Sequence, residues 1–164
     1  MIGARHGAAR RPTGHHTALD RPAWHDAPGM VGSTGQLLLE VTLPARASAV
    51  PDARHRVAEA LDERAVSAEL AADVALALSE ACTNVVKHAY RDRPAGPMHL
   101  SVMQGADELS ITVCDEGSGM APRPDSDGLG LGLPLIVNAT RDLEITSGPH
   151  GRGTKLRMTF AVPA

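Results

Sequence analysis

Residues 75–90 read ALALSEACTNVVKHAY, and their spacing predicts the second half of one long helix over residues 67–90. Apolar side chains recur there every three or four positions, as in a helix that buries one side. The members of this apolar stripe are Val74, Leu78, Ala81, Val85 and Ala89. We expect the other elements of the domain to be organised around this helix.

Polar side chains follow the apolar stripe along one flank of the helix. Glu80, Asn84 and His88 are each separated by four residues, just over one turn, so they project in nearly the same direction. A carboxylate and a carboxamide one turn apart suit metal and proton chemistry. The same spacing is typical of an ordinary solvated face, which is also our interpretation of Lys87. The helix alone leaves both interpretations open.

Length and composition indicate a single globular domain with an aliphatic core. The 164 residues are 43% hydrophobic but only 2% aromatic. A formal net charge of -3 gives no electrostatic reason to expect nucleic acid or an anionic membrane as a partner. Without a long apolar run or a secretory signal, we expect a cytoplasmic protein. Cys82 and Cys114 are predicted to be small buried hydrophobes in a reducing compartment.

The first 35 residues differ from the rest and are predicted to be a disordered tail, leaving residues 36–164 as the domain. They lack apolar periodicity and carry four arginines against two aspartates. Four of the eight histidines also lie here, but without the spacing or scaffold of a metal site. Trp24, the single tryptophan, is a candidate for docking on the domain or on a partner.

The pattern over residues 36–162 predicts an α+β fold. Alternating apolar residues indicate strands at 36–43, 98–103, 108–114, 143–146 and 154–162. Helical periodicity indicates helices at 47–64, 67–90 and 130–140. The second and third strands are close enough in sequence to form a hairpin. We therefore expect a two-layer α/β sandwich, with a mixed, mostly antiparallel sheet and the helices on one face.

Two glycine-rich segments follow the long helix. Residues 115–119, DEGSG, place the carboxylate of Asp115 at a strand end beside Gly117 and Gly119, where backbone can approach a ligand closely; a plain turn is the alternative. Residues 128–132, GLGLG, precede a helix, so successive N–H groups could hold an anion. The spacing does not match a dinucleotide-binding G-x-G-x-x-G, and no G-K-[ST] follows as in a P-loop.

In this order, the three segments resemble the ATP-binding domain of the GHKL superfamily, which includes type II topoisomerases, histidine kinases and anti-sigma-factor serine kinases. Residues 79–84 (SEACTN) and 87–90 (KHAY) are most similar to the anti-sigma kinase branch. The resemblance implies that Asp115 accepts a hydrogen bond from the adenine amino group and that Gly117 and Gly119 shape the base pocket.

The same resemblance implies roles for the later segments. It places the phosphates in the loop formed by Gly128, Leu129, Gly130, Leu131 and Gly132. Residues 120–127 form a short lid, in which Arg123 could reach a phosphate. The Thr154 hydroxyl is placed near the adenine, although a β-branched residue that simply starts a strand is the alternative.

The expected cofactors are ATP and Mg²⁺. Mg²⁺ favours oxygen ligands and keeps several waters, so the side-chain oxygen of Asn84 together with phosphate oxygens suffices. Glu80, one turn away, is the predicted catalytic base, and His88 has a supporting place in the ATP site. No Ser-His-Asp set and no Cys-His pair can be named as a second catalytic site.

The sequence thus predicts an anti-sigma factor that is also a serine-protein kinase. By resemblance, the phosphoryl acceptor is a Ser on an anti-sigma-factor antagonist, the second partner is a sigma factor, and the chain forms a homodimer. One alternative is an ATP-binding regulatory module that acts by partner binding with little or no kinase activity. An isolated sensor-kinase domain is disfavoured, since no helix with a phosphoacceptor His precedes the domain.

Overall fold

The computed structural model describes residues 35–64, 66–119 and 132–162, with the backbone alone at His150. The described chain forms five strands, three α-helices and two short helical turns. In order they are β1 (Gln36–Pro44), α1 (Ala49–Asp62), α2 (Ala68–Asn84), a π-helical turn (Val85–Ala89), β2 (Pro97–Gln104), β3 (Glu108–Asp115), α3 (Gly132–Ala139), β4 (Asp142–Ser147), a 3-10 turn (Pro149–Gly151) and β5 (Thr154–Ala161). The predicted tail, up to residue 34, and the predicted lid with Arg123 lie outside the described residues.

The strands form one sheet in the order β1-β2-β3-β5-β4. Every neighbouring pair in the described sheet is antiparallel, so the mixed pairing allowed by the sequence pattern does not occur there. The predicted β2–β3 hairpin is confirmed, with Leu100 opposite Val113 and Gln104 opposite Leu109. Because β5 returns between β3 and β4, the turn before β5 lies beside the end of β3. This arrangement places residues 115–119 next to residues 148–154.

The core lies between one face of the sheet and the helices, which confirms the predicted two-layer α+β sandwich. Leu100, Ile111 and Met158 from the three central strands are completely buried in it. Val57 of α1 and Leu78 of α2 are among the helix residues that are buried against that face. As predicted from the low aromatic content, aliphatic side chains supply most of this core.

The long central helix begins where it was predicted to begin but changes its geometry before it ends. The Ser67 hydroxyl caps α2 by accepting a hydrogen bond from the Leu70 N–H at 3.2 Å. After Asn84 the chain winds into the π-helical turn, which ends before Tyr90. The sequence predicts an uninterrupted α-helix, because apolar Val85 and Ala89 continue the helical spacing. The wider π turn keeps both of them buried but changes the direction of the residues between them.

Within the described ranges, no helix combines the length and the apolar character needed to cross a membrane.

Candidate functional site

The side chains of Glu80 and Asn84 meet the first residue of α3. Both are half-buried on the C-terminal half of α2. A Cβ added to Gly132 would lie 3.0 Å from Glu80 Oε2 and 3.7–3.8 Å from the amide atoms of Asn84. The predicted pairing of these two polar side chains with the glycine-rich segment is therefore present at Gly132. Gly128, Leu129, Gly130 and Leu131, which complete that segment, lie outside the described residues.

His88 lies in the π-helical turn, one further turn along the same flank. The Arg91 guanidinium donates a hydrogen bond to its Nδ1 at 3.0 Å, so its Nε2 carries the proton in the neutral ring. Burial lowers the pKa of His88, and the charges of Arg91 and Lys87 lower it further. The buried Nε2 has no hydrogen-bond partner among the described residues. His88 thus offers an unused N–H donor at neutral pH.

Asp115 is a buried carboxyl group at the C-terminal end of β3, with only 3% of its surface exposed. Its Oδ1 accepts the Gly117 N–H at 2.7 Å. Burial raises the pKa of Asp115, and this effect is partly opposed by hydrogen bonds from the backbone of Gly117 and Thr154 and by the charge of Arg93. Backbone N–H groups therefore stabilise the charged form of this carboxyl group, although it is largely removed from solvent.

Glycines around Asp115 let three segments of backbone meet. A Cβ at Gly117 would overlap the Ala89 carbonyl oxygen and lie 2.7 Å from Asp115 Oδ1. A Cβ at Gly153 would overlap the Asp115 carbonyl oxygen, and Gly153 also has a φ of 70°. Both positions require glycine because neighbouring backbone approaches them closely. A plain turn, the alternative that the sequence allowed, would not by itself require this.

Two hydrogen-bond bridges join the end of the central helix to the loop after β3. The Ala89 carbonyl accepts the Ser118 N–H at 3.1 Å. The Tyr90 hydroxyl donates to the Pro97 carbonyl at 2.7 Å and accepts the Glu116 N–H at 2.9 Å. The loop that carries Gly117 is therefore held against the same helix that carries Glu80 and Asn84.

A cleft of about 950 Å³ opens between this loop and the β4–β5 turn. Gly117, Gly119 and Thr154, three of the predicted base-pocket positions, line it. Asp115 lies directly behind Gly117 and Gly153. Glu80 and Asn84 are not among the residues that line this cleft; they form a second group at Gly132. The two groups are connected through the π-helical turn.

Sequence reasoning missed several residues of the cleft. Arg93 and Arg152 line it, and the Arg93 guanidinium also lies 5.2 Å from the centre of the Tyr90 ring. Both arginines come from segments whose composition indicates only loops. Their positions in the sequence could have indicated them. Arg93 follows the central helix shortly after His88, and Arg152 precedes Thr154 at the start of β5.

The described residues contain no group of three or more His, Cys, Asp or Glu side chains that could hold a metal ion.

Comparison with known proteins identifies the family of the domain. The family described as "Histidine kinase-like ATPase domain" matches residues 43–160. The chain is 29% identical over 98 residues to an anti-sigma F factor of Oceanobacillus iheyensis, covering 53% of this chain and 66% of that protein. It is 32% identical over 117 residues to the anti-sigma F factor of Clostridium acetobutylicum, covering 65% and 80%.

A solved structure shows the same fold. The crystal structure of the RsbU and RsbW domains of Rv1364c from Mycobacterium tuberculosis superposes with a TM-score of 0.61 and 24% identity, covering 77% of this chain and 33% of that one. The chain spans about two thirds of the length of the first curated relatives it matches. An ATPase domain implies ATP binding. The two curated relatives named above are anti-sigma F factors, and the chain belongs to the histidine kinase-like ATPase domain family.

Proposed function

We propose that the chain is an ATP- and Mg²⁺-dependent serine-protein kinase that phosphorylates an anti-sigma-factor antagonist and also binds a sigma factor. We further propose that it acts in the cytoplasm as a homodimer. The observation that carries the kinase proposal is the meeting of Glu80 and Asn84 at Gly132, on the helix whose end is bonded to the loop after Asp115. The names of the curated relatives support the choice of partners.

The adenine end of the proposed site is the cleft in front of Asp115. A buried carboxylate can accept a hydrogen bond from an exocyclic amino group, and such charge-assisted bonds are about twice as strong as neutral ones. Gly117 and Gly119 leave room for a planar base to approach the backbone, and Thr154 places a hydroxyl at the start of β5. Arg93 and Arg152 add positive charge at the edge of the same cleft.

The phosphate end is the group formed by Glu80, Asn84 and Gly132. The Asn84 amide oxygen would hold Mg²⁺ together with phosphate oxygens, and the bound ion would neutralise charge on the transferred phosphoryl group. His88 lies one turn further along the helix. Its Nε2–H, which has no partner among the described residues, would donate a hydrogen bond to the nucleotide.

Glu80 supplies the remaining chemistry as the proton acceptor. The Ser hydroxyl of the antagonist attacks the γ-phosphorus, its proton passes to the Glu80 carboxylate, and the bond to the β-phosphate oxygen breaks to release ADP. Phosphoryl transfer depends mainly on positioning and charge stabilisation, so one base on a rigid helix is chemically sufficient.

The deciding experiment compares Glu80→Gln with wild type in transfer of labelled γ-phosphate to a purified antagonist. We expect transfer to fall by about 10²–10⁴-fold, the usual contribution of a general base, while Mg-ATP binding measured by calorimetry is retained. Glu69→Gln is the matched control, because Glu69 lies in the first turn of the same helix and is exposed. Wild-type protein that binds ATP and partners but never transfers phosphate would instead support the regulatory-module alternative.

A further inference from the structure

His99 on β2 connects the edge of the sheet to the loop that follows Asp115. Its Nδ1 is 3.0 Å from the hydroxyl oxygen of Thr42 on β1, and its Nε2 is 3.0 Å from Glu116 Oε1. His99 is 7% exposed, whereas the Glu116 side chain is half-exposed. A buried imidazole therefore lies between an edge strand and the residue next to Asp115. We call its contact with Glu116 the His99–Glu116 link.

Strand register explains how three separate segments meet at His99. His99 is the cross-strand partner of Thr42 on one side and of Cys114 on the other. Side chains of directly opposite residues project from the same side of a sheet, and they alternate along each strand. Glu116, two residues after Cys114, is therefore directed to the same side of the sheet as His99.

The same alternation directs Asp115 to the opposite side. Its cross-strand partner is Met98, a fully buried residue of the core between sheet and helices. The end of β3 thus sends the carboxyl group of Asp115 towards the helices and that of Glu116 towards His99. Because one planar peptide group joins these two residues, a contact that fixes Glu116 also restricts the backbone at Asp115.

The acidic partner determines the hydrogen-bond roles of the His99 ring. A carboxylate oxygen can only accept, so the Nε2 of His99 carries a proton and donates a hydrogen bond to Glu116. In the neutral ring, Nδ1 then accepts a hydrogen bond from the Thr42 hydroxyl. Thr42 thus stabilises the tautomer of His99 that donates to Glu116.

Glu116 is also held through its main chain. Its N–H donates to the Tyr90 hydroxyl at 2.9 Å, and this hydroxyl donates to the Pro97 carbonyl at 2.7 Å. Pro97 and His99 are both among the first three residues of β2. The backbone and the side chain of Glu116 are therefore attached to the same end of one strand.

Gly117 and Ser118 directly follow this doubly attached residue and line the cleft. The Gly117 N–H donates to Asp115 Oδ1 at 2.7 Å, and the Ser118 N–H donates to the Ala89 carbonyl at 3.1 Å. Both bonds require the loop to leave β3 in one direction. The attachment of Glu116 should therefore control how often these two bonds open.

We propose that His99 is a positioning residue of the cleft, which acts through Glu116 to hold residues 116–119 in the conformation that receives a nucleotide. It acts from the side of the sheet opposite to the helices, so it should affect nucleotide affinity and not the transfer step at Glu80. The effect on the nucleotide rests on the proposed function, whereas the effect on the loop does not. The alternative is a contact that only stabilises the sheet.

Two substitutions at His99 separate these roles. Asn places its amide near the position of Nδ1 and cannot reach Glu116, whereas Gln places an N–H near the position of Nε2 and keeps the link. In the ligand-free, full-length protein, His99→Asn should speed amide hydrogen exchange of Gly117 and Ser118 about tenfold, as expected for a lost hydrogen bond to a half-exposed charged group. His99→Gln should stay within about threefold of wild type.

The amide of Leu70 at the start of α2 is the internal control for this exchange experiment. It opens by fraying of the helix end, which leaves the link intact, so its exchange should be the same in all three proteins. If the link only stabilises the sheet, Gly117 and Ser118 open independently of it. Unchanged exchange of these two amides in His99→Asn, or equal acceleration in His99→Asn and His99→Gln, would overturn the proposal.

Substitutions at Glu116 test the same link without altering a buried ring. Glu116→Ala removes the acceptor and should speed exchange of Gly117 and Ser118 as much as His99→Asn does. Glu116→Gln keeps an acceptor oxygen and should stay within about threefold of wild type. Combining His99→Asn with Glu116→Ala should add nothing, because both remove one bond. Additive effects would show that the two side chains act separately and would reject the proposal.

Calorimetry with Mg-ATP tests the effect on the nucleotide. His99→Asn and Glu116→Ala should weaken binding by a factor between about two and ten, because the loss cannot exceed the contribution of the link. His99→Gln should restore the affinity, and phosphate transfer at saturating ATP should stay within about twofold of wild type in all three variants. Wild-type affinity in both loosened variants would reject the positioning role. If the wild type itself binds no ATP, the proposed function fails, and hydrogen exchange alone decides whether the link holds the loop.

Discussion

Replacing Asp115 by Asn separates the role of this carboxylate in ligand binding from its effect on stability. The change keeps the shape of the side chain and lets its oxygen still accept the Gly117 N–H. It removes the negative charge and turns one acceptor into a donor. If Asp115 receives the amino group of a bound adenine, two donors then face each other in a buried site.

The expected loss of affinity follows from these contacts. A hydrogen bond to a charged group contributes about 1.5–3 kcal/mol, and a buried donor without a partner costs about 1–3 kcal/mol more. A total near 3 kcal/mol corresponds to a loss of more than about 100-fold in ATP affinity. Titration calorimetry with Mg-ATP measures this directly. The control is Glu116→Gln, which makes the same charge change one residue later at a half-exposed side chain.

Stability should respond in the opposite direction. Because burial raises the pKa of Asp115, ionisation of this group costs folding free energy at neutral pH. Thermal unfolding without ligand should therefore show Asp115→Asn to be no less stable than wild type at pH 7. Its advantage should appear as pH rises above the ordinary Asp pKa and should disappear in acid. Binding within threefold of wild type, or an equal loss in Glu116→Gln, would refute the assignment of the base pocket.

Three further predictions concern the surrounding structure. Tyr90→Phe removes the hydroxyl that accepts the Glu116 N–H and should lower the unfolding free energy by about 1–3 kcal/mol; denaturant unfolding with an unchanged midpoint would contradict this. Lys155→Met should stabilise the protein by on the order of 1 kcal/mol at pH 7, because a buried ammonium that lacks a hydrogen-bond partner among the described residues is replaced by an apolar chain of similar length. Burial lowers the pKa of Lys155, so the stability of the wild type should rise with pH as this group deprotonates. The stability advantage of Lys155→Met should therefore shrink towards pH 10. An advantage that does not change with pH would contradict this explanation. Gly117→Ala should abolish measurable ATP binding and lower the melting temperature, whereas Gly105→Ala, where the new Cβ meets the flexible Glu108 side chain, should do neither.

The layer architecture was predictable because its signals are local. Alternation in β2 and β3 and the three- and four-residue spacing in α2 each determine which side of an element is apolar. The pairing of Glu80 with Asn84 follows from the same helical spacing. The close approach of Gly132 to both was expected only from the resemblance, since spacing within one helix says nothing about its neighbour.

Other features depend on contacts between distant parts of the chain and could not be predicted. Alternation correctly marks Ser101 and Thr112 as facing away from the core, and it therefore predicts that they are solvated. Both are nevertheless buried, and no strand pattern encodes burial on that side of the sheet. Arg93 and Arg152 likewise reach one cleft because β5 returns beside β3.

The π-helical turn is the feature that most directly links the two halves of the site. In an uninterrupted α-helix, the Ala89 carbonyl would point along the helix axis and accept an N–H group of the next turn. The helix instead ends in a wider turn at Tyr90, and the Ala89 carbonyl accepts the Ser118 N–H from the loop after β3. One short segment thus joins Asn84, at the proposed phosphate end, to the loop of Gly117, at the proposed base end. The π-helical turn therefore sets the distance between the two groups that we propose to bind one nucleotide.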